Sequence, residues 1–501
     1  MLLGLQKEFE DPFSSQTEVL TNAPMREADR LTVESGISGY ELMVAAGQSV
    51  TNIVHEYYGD YEVLILCGSG NNGGDGFIAA MFLESLGHKV TVMGLVSARR
   101  LKGDARQAYK SWGGKMLDFI ARPDLPEKTV VVDAVFGTGL SKNLESPVTD
   151  VFKAIRDGGW PVVAVDIPSG VNSDNGEADP QTLAASRTVT FFRKKAGHML
   201  MPAFALCGHI TVHDIGIEDD VLVLTGFSFR ENAPALWQTR LPKPKNSQHK
   251  YSRGHVVMLG GTRMTGAARL ASEAAMRCGA GLCTIVADQE VASIYKRAAA
   301  HVLYEVLETY EDFIHHLEDE RRNAVLIGPG AGLEDRKGLQ QAVLAALATE
   351  KPLVLDADAL TCFADMPETL YKALHKKCVL TPHEGEFAKL FPALDGRKLE
   401  KAVQAAEMTG AVILLKGADT IIAQQGHDVV VNTHATPWLA TAGAGDVLAG
   451  LVAGFLAQNM TVFDAACAGA WIHGETGDRK GAGLVAPDLV EGIPAVIRDL
   501  L

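Results

Sequence analysis

The sequence predicts an α/β protein of two domains in tandem, each a mainly parallel sheet covered by helices on both faces. Two observations carry this. Unbroken apolar runs recur along the chain, among them Tyr61-EVLILC, Thr129-VVVDA, Pro161-VVAV, His255-VVML and Pro352-LVL. Most end in a polar, glycine-bearing loop, and stretches of helical spacing separate them. Strands buried on both faces read as continuous apolar runs, and their alternation with helices indicates a parallel, three-layer arrangement. The rhythm then breaks once, over residues 224–253, which hold Pro234, Pro242 and Pro244 with Arg240, Lys243, Lys245, Lys250 and Arg253. We read residues 1–224 as the first domain, 225–244 as a linker and 245–501 as the second. The two halves carry different loops and read as two different domains, not a duplication.

In the first half, the strand Tyr61-EVLILC leads into GSGNNGGDG and then a helix from Phe77 to Leu86. His88-KVTVMGLV is the next strand, followed by those ending in DAVFGTG and DIPSG. In such sheets ligands sit beyond the carboxyl ends of the strands, where these polar loops should converge. In the second half the strands are His255-VVMLGG, Gly281-LCTIVA, Asn323-AVLIGPGAG, Pro352-LVLDADAL, Cys378-VLTPHEGE and Ala411-VILLKGADT. A final glycine-rich turn, TAGAGD, feeds an apolar helix over 448–457, which reads as core or interface.

The 501 residues carry 46 Lys and Arg against 61 Asp and Glu, a formal charge of −15. That balance disfavours a nucleic-acid or anionic-membrane partner outside a local basic patch. The basic cluster at 240–253 reads as a solvated linker or a phosphate or RNA contact. The seven cysteines are scattered, odd in number and free of CxxC pairs, which indicates reduced thiols in a cytoplasmic setting. The opening MLLGLQKEFEDPF is a poor signal peptide, and no apolar run approaches the ~20 residues of a membrane span.

Two segments carry most of the chemistry. In Gly68–Phe77, clustered glycines let backbone N–H groups approach one anion, aided by the next helix's dipole. The plainer alternative is a tight turn with Asp75 as helix N-cap. Asp133 and Asp166 end neighbouring strands, as caps or as a site; oxygens of Asn72, Asp133 and Ser169 suit a hard cation, whose identity the spacing leaves open. In Thr441–Gly450, the amides of Ala442, Gly443, Ala444 and Gly445 suit a phosphoryl group, and Asp446 is placed to take a proton from an attacking hydroxyl. Its alternative is again an N-cap. Lys416 reads as a phosphate-neutralising charge or a surface lysine. Asp356 and Asp358 suit magnesium or core hydrogen bonds, and His383, Glu384 and Glu386 make zinc only with a ligand from elsewhere.

NNGGDG, DAVFGTG and DIPSGVNSDNGE together resemble the NAD(P)H-hydrate epimerases over residues 20–215. The resemblance implies a Rossmann-like sandwich with potassium at Asn72, Asp133 and Ser169. It implies contacts to the hydrated cofactor from Asn71, Asn72, Gly73, Gly74 and Asp75, and from Gly137, Thr138, Gly139, Leu140, Ser141, Lys142 and Asn143. Asp166 would face the reacting ring and act as a catalytic residue. Lys195 fits a Lys-x-Gly near the domain's end, or is a solvated lysine.

From about residue 245, GGTRMTGAARLA, GPGAG, LDADAL, TPHEGE, KGADT and AGAGD resemble, in order, the ADP- or ATP-dependent NAD(P)H-hydrate dehydratases of ribokinase-like fold. One departure is His301-VLYEVLE, where the family usually has a His-Pro-Glu type run. The resemblance implies the hydrate near Ala267, Gly330, Gly332, His383 and Asp446. It implies the nucleotide along Lys416, Gly417, Ala418, Asp419 and Thr420 and at Gly443, Ala444 and Gly445, with magnesium. Together the halves imply repair of hydrated NADH and NADPH by a homo-oligomer. One half would interconvert the epimers, and the other would phosphorylate the hydroxyl of the S form and eliminate it. The rival is a ribokinase-like kinase of a vitamin precursor with a non-catalytic N-terminal binding module.

Overall fold

The computed structural model describes residues 16–120, 125–139 and 142–501. Leu140 and Ser141 lie outside them. The described chain forms two compact units, Glu18–Phe229 and Arg230–Leu501, the second also taking residues 16–17.

The N-terminal unit holds a seven-stranded parallel sheet. Its order is Leu117–Asp118, Val90–Gly94, Glu62–Cys67, Thr129–Ala134, Val162–Val165, Arg187–Phe191, His209–His213. The chain enters at Glu62–Cys67, walks to one edge, then returns to Thr129–Ala134 and walks to the other. Loops leaving these two strands diverge and open a crevice, the usual ligand position in such sheets. Val63 and Ile65 pack with Val50, Phe77 and Ala108 on one face, while Leu64 and Leu66 pack with Val151, Phe152 and Ile155 on the other. Side chains alternate along a strand, so an all-apolar run needs both faces covered. The three-layer expectation holds. Arg187–Phe191 and His209–His213 are not evident as apolar runs. Thr188 is nevertheless buried, because its hydroxyl donates to Cys207 O at 2.6 Å.

The helix expected from Phe77 begins earlier, at Asn71, with Gly70 as its N-cap. The glycines therefore lie inside its first turns. A Cβ on Gly73 would stand 2.2 Å from Gly68 O, and one on Gly74 2.5 Å from the Met43 side chain. Close packing, not only an open turn, demands them. Asp75 is past the first turn and is no cap.

The C-terminal unit enters its sheet at His255–Leu259 and walks through Leu282–Asp288 to Leu303–Leu307. It then continues on the other side through Ala324–Ile327, Leu353–Leu355, Cys378–Leu380 and Val412–Leu415, all parallel. Both halves thus share one winding order about a switch point, which the different loop sequences conceal. The C-terminal sheet goes on into the antiparallel strands Thr420–Ala423 and Val430–Asn432. Helices Thr265–Arg277, Ala444–Ala457, Val462–Lys480 and Ala486–Leu500 cover the face of Val256 and Met258. The apolar helix is core: a Cβ on Gly450 would stand 2.2 Å from Ala271 O, so the two helices touch backbone to side.

The linker expected at 225–244 is corrected. Phe229–Glu231 is a strand paired with Val430–Asn432, Trp237 is fully buried, and Arg240 Nε donates to Asp464 Oδ2 at 2.6 Å. An indole of that size and a paired arginine fasten the segment into the C-terminal core. All seven cysteines are buried and unbridged, as expected. No helix among the described residues is long and apolar enough to cross a membrane.

Candidate active sites

In the N-terminal unit the crevice opens into a cavity of about 1160 Å³ lined by Asn71, Asn72, Asp75, Gly137, Thr138, Gly139, Lys142, Asn143 and Asp166. Every described residue of this unit expected to contact the hydrate, except the enclosed glycines Gly73 and Gly74, lies on its wall. Asp166 follows the strand Val162–Val165 with φ of 63°, a left-handed conformation that costs a non-glycine residue energy. It is over-determined. Lys195 Nζ lies 2.7 Å from Asp166 Oδ1, Thr190 Oγ1 donates to the same oxygen at 3.0 Å, and His198 Nε2 donates to Asp166 O at 2.8 Å. The tautomer follows from Lys195 N donating to His198 Nδ1 at 2.9 Å. Burial acts to raise the Asp166 carboxyl, but the charge and hydrogen bond of Lys195, with His198 and the Thr190 hydroxyl, together hold the group below its ordinary value.

Lys195 is not solvated: it is 1% exposed, carried beneath the cavity by the short strand Lys194–Lys195. Beside this pair stand two carboxyls pushed the other way. Burial lifts Asp29 to about 6 and lifts Asp75 well above its ordinary range, with neighbouring carboxylates adding to both. Asp29, Thr190 and His198 are invisible as site residues in the sequence. Asp29 sits in a helix that reads as amphipathic surface, and the others lack a motif.

Asp133, in the strand Thr129–Ala134, meets Ser169 of the loop after the next strand, and Asn72, in the first turn of the helix from Asn71, stands against Gly137 beside them. Ser169 Oγ donates to Asp133 Oδ1 at 2.6 Å, and Ser169 N donates to Oδ2 at 2.9 Å. Burial raises the Asp133 carboxyl, opposed by those Ser169 bonds. Asn72 Nδ2 is buried with no partner. Turning that amide over would place its oxygen there instead, so the set suits a cation held by oxygens.

In the C-terminal unit the expected residues also converge on the carboxyl ends of the strands. A Cβ on Gly261 would stand 1.5 Å from Gly330 O, and one on Gly330 3.0 Å from the Ala267 side chain. Gly332 N donates to Asp358 Oδ2 at 2.9 Å. Lys416 Nζ pairs with buried Asp356 at 2.9 Å and lies 4.0 Å from Glu386. It is thus neither a surface lysine nor free. A Cβ on Gly445 would be 3.5 Å from the same ammonium, which places Lys416 against the final glycine loop. His383 bridges to Lys416 by backbone pairing, and its Nδ1 accepts from Gly385 N at 3.0 Å. It caps its helix, and among the described residues no group of three or more His, Cys, Asp and Glu could hold a metal ion. Asp419 is held by Lys398 Nζ at 2.6 Å, while Thr420 Oγ1 accepts from Gly417 N at 3.1 Å and fixes the Gly417–Ala418–Asp419 turn.

The helix Ala444–Ala457 is capped by Gly443 in the left-handed region, so Asp446 lies within the first turn and is not the cap. No side chain caps the start of this helix, and Ala444 N donates to Thr441 O at 3.4 Å. Burial raises Asp446 to about 6, Asp356 adds to this and Lys416 opposes it. A carboxyl poised there accepts a proton near neutral pH and releases it readily.

Two α/β units, each with titratable groups gathered at its switch-point loops, define a two-site enzyme. Residues 255–494 match the family model described as NAD(P)H-hydrate dehydratase, and residues 39–197 match that of the YjeF-related protein N-terminus. The protein named bifunctional NAD(P)H-hydrate repair enzyme of Coxiella burnetii is 35% identical over 490 residues, covering 94% of this chain and 98% of its own. Its namesake of Escherichia coli is 31% identical, covering 92% and 90%. A solved ADP/ATP-dependent NAD(P)H-hydrate dehydratase of Bacillus subtilis is 27% identical, with a TM-score of 0.46 over 53% of this chain and 96% of that one. The chain belongs to the family of bifunctional NAD(P)H-hydrate repair enzymes.

Proposed function

We propose that this protein repairs hydrated NADH and NADPH, the N-terminal unit interconverting the R and S hydrates and the C-terminal unit dehydrating the S hydrate with ADP or ATP. The observation that carries the reading is Asp446, a partly buried carboxyl with raised proton affinity, set beside Lys416 in the first turn of a helix. Asp446 takes the proton of the hydrate hydroxyl as it attacks the terminal phosphoryl group. Lys416 and the amides of Ala444 and Gly445 stabilise the transferring charge. Phosphate then leaves in place of hydroxide, and the reduced ring is restored. Ala267, Gly330, Gly332 and His383 border the hydrate, and residues 416–420 with Gly443 the nucleotide.

Magnesium suits this site as a companion of the nucleotide, with Asp356 or Asp358 as protein ligand. Such ions are commonly held by one or two carboxylates and the phosphates themselves. Potassium suits Asn72, Asp133 and Ser169, and a cation there favours the ionised form of the buried Asp133. In the N-terminal unit Asp166 serves as base beside the hydrated carbon, and Asn71–Asp75 with Gly137–Asn143 enclose the hydrate; Leu140 and Ser141 belong to this reading from sequence alone. The protein works in the cytoplasm as a homo-oligomer.

The test is incubation with both NADH-hydrate epimers, ADP, magnesium and potassium, following the return of reduced-nicotinamide absorbance. Complete, ADP-dependent recovery supports both activities. Recovery that stops at the S fraction removes epimerisation, and none with either nucleotide leaves a stable phosphorylated product as the rival outcome.

A further inference from the structure

Asp29 lies on the helix Asn22–Ser35, which the rest of the site holds in place. Asn22 Nδ2 donates to Thr138 O at 2.9 Å, and Asn22 N donates to Asp174 Oδ1 at 2.5 Å. The Asp29 carboxyl forms part of the cavity wall with Asp75, Asp166 and Lys195. These three are the charged groups that act on it or that it acts on. The single cation among them is already taken, since Lys195 pairs with Asp166 and also donates to Thr190 Oγ1 at 2.8 Å. No side-chain hydrogen bond or ion pair holds Asp29 among the described residues. One cavity therefore holds one carboxylate locked to an ammonium and one carboxyl left without a partner. Two carboxyls whose surroundings drive them apart divide acid and base work between them.

We infer that Asp29 is the catalytic proton donor of the N-terminal site, acting on the hydroxyl of the hydrated ring carbon. This rests on the epimerase reading above. Neutral Asp29 gives its proton to the hydroxyl. The C–O bond breaks as the ring-nitrogen lone pair moves into a C=N bond, and water departs, leaving a cationic ring beside the Asp166 carboxylate. Water returns to the opposite face, a new C–O bond forms, and the C=N pair goes back to nitrogen. The surplus proton passes to Asp166 and, through cavity water, to Asp29. No atom or electron is gained or lost over the cycle, as an epimerisation requires. Burial lifts the Asp29 carboxyl to about 6, which keeps a useful fraction protonated near neutrality.

The experiment measures exchange between purified R and S hydrates, without nucleotide, from pH 5.5 to 8.5 for the parent, Asp29→Asn and Asp29→Glu. The parent's enzymatic kcat should fall as pH rises through the Asp29 range. Asp29→Asn should lose about 100-fold or more in kcat with KM little changed, and lose that pH limb. Asp29→Glu, which keeps a carboxyl, should recover part of the rate and the limb. A merely structural role would not move the pH limb. If the parent exchanges the epimers and Asp29→Asn does so at a similar rate with the same limb, the assignment fails and the epimerase reading stands. If the parent itself does not exchange them, the epimerase reading fails with it.

Discussion

Lys195 Nζ and Asp166 Oδ1 lie 2.7 Å apart, with the lysine side chain only 2% exposed. The pair anchors a strained aspartate at the wall of the N-terminal cavity. An ammonium so enclosed is tolerated because the carboxylate, the Thr190 hydroxyl and the Phe191 carbonyl meet it.

Removing the lysine leaves a buried, uncompensated carboxylate. Lys195→Met should lower stability by about 3–5 kcal/mol at pH 7 in chemical denaturation and abolish epimer exchange. The sign with pH follows from Asp166 being held below its ordinary value. Its stabilising contribution is full above that ordinary value and disappears as pH falls through the folded one. The gap between parent and variant should therefore narrow below about pH 4. A gap that widens on acidification would contradict the pairing.

Asp446 has the opposite sign. Its carboxyl is raised to about 6, so the folded state binds its proton more tightly and loses stability as pH rises from the ordinary carboxylate range through 6. Asp446→Asn should lack that loss and be more stable than the parent by roughly 1–2 kcal/mol at pH 7.5. It should show no dehydration while epimer exchange continues. Dehydration at the parent rate would remove Asp446 from the mechanism.

Lys416 opposes the rise of Asp446 and neutralises Asp356. In Lys416→Met the acidic limb of the dehydration pH profile should move upward, and nucleotide affinity should fall by about tenfold or more, as loss of a charge-assisted contact of ~1.5–3 kcal/mol implies. Titration calorimetry with ADP and a pH–rate series check the two parts separately. An unmoved pH limb would mean that Lys416 acts on the nucleotide alone.

Gly261, in the loop after the strand His255–Leu259, and Gly266, at the start of the helix that follows, should behave oppositely. Gly261→Ala drives a Cβ to 1.5 Å from Gly330 O and should cost about 3 kcal/mol or more, since backbone must move. Gly266 has nothing within 4 Å of its Cβ position and lies in a helix. Gly266→Ala should leave stability unchanged or raise it by up to about 1 kcal/mol. Thermal melts of the two variants test the close crossing of the switch-point loops.

Much of this was legible in the sequence. Apolar runs ending in glycine loops disclose two parallel α/β domains, and residues such as Asn72, Gly137 and Asp446 stand out by motif. Period and motif are local, and strand burial on both faces leaves a continuous trace in the chain. The errors were also local in kind. The helix begins at Asn71, ahead of the Phe77 that the spacing predicts, because glycines that read as a turn answer to Gly68 and Met43 across a contact. The linker reading failed because prolines and charges mark irregular backbone, and Trp237 alone signalled a core.

The sequence by itself determined the layers of each unit, the loops that carry chemistry and the absence of any staple among the cysteines. Only the tertiary structure decided that Lys195 is buried on Asp166, that Asp29 stands unpaired among the described residues of the same cavity, and that Lys416 pairs with Asp356 while opposing the rise of Asp446. Burial and charge neighbours are relations between segments distant in the chain. A titratable side chain acquires its proton affinity from those relations, and no single segment records them.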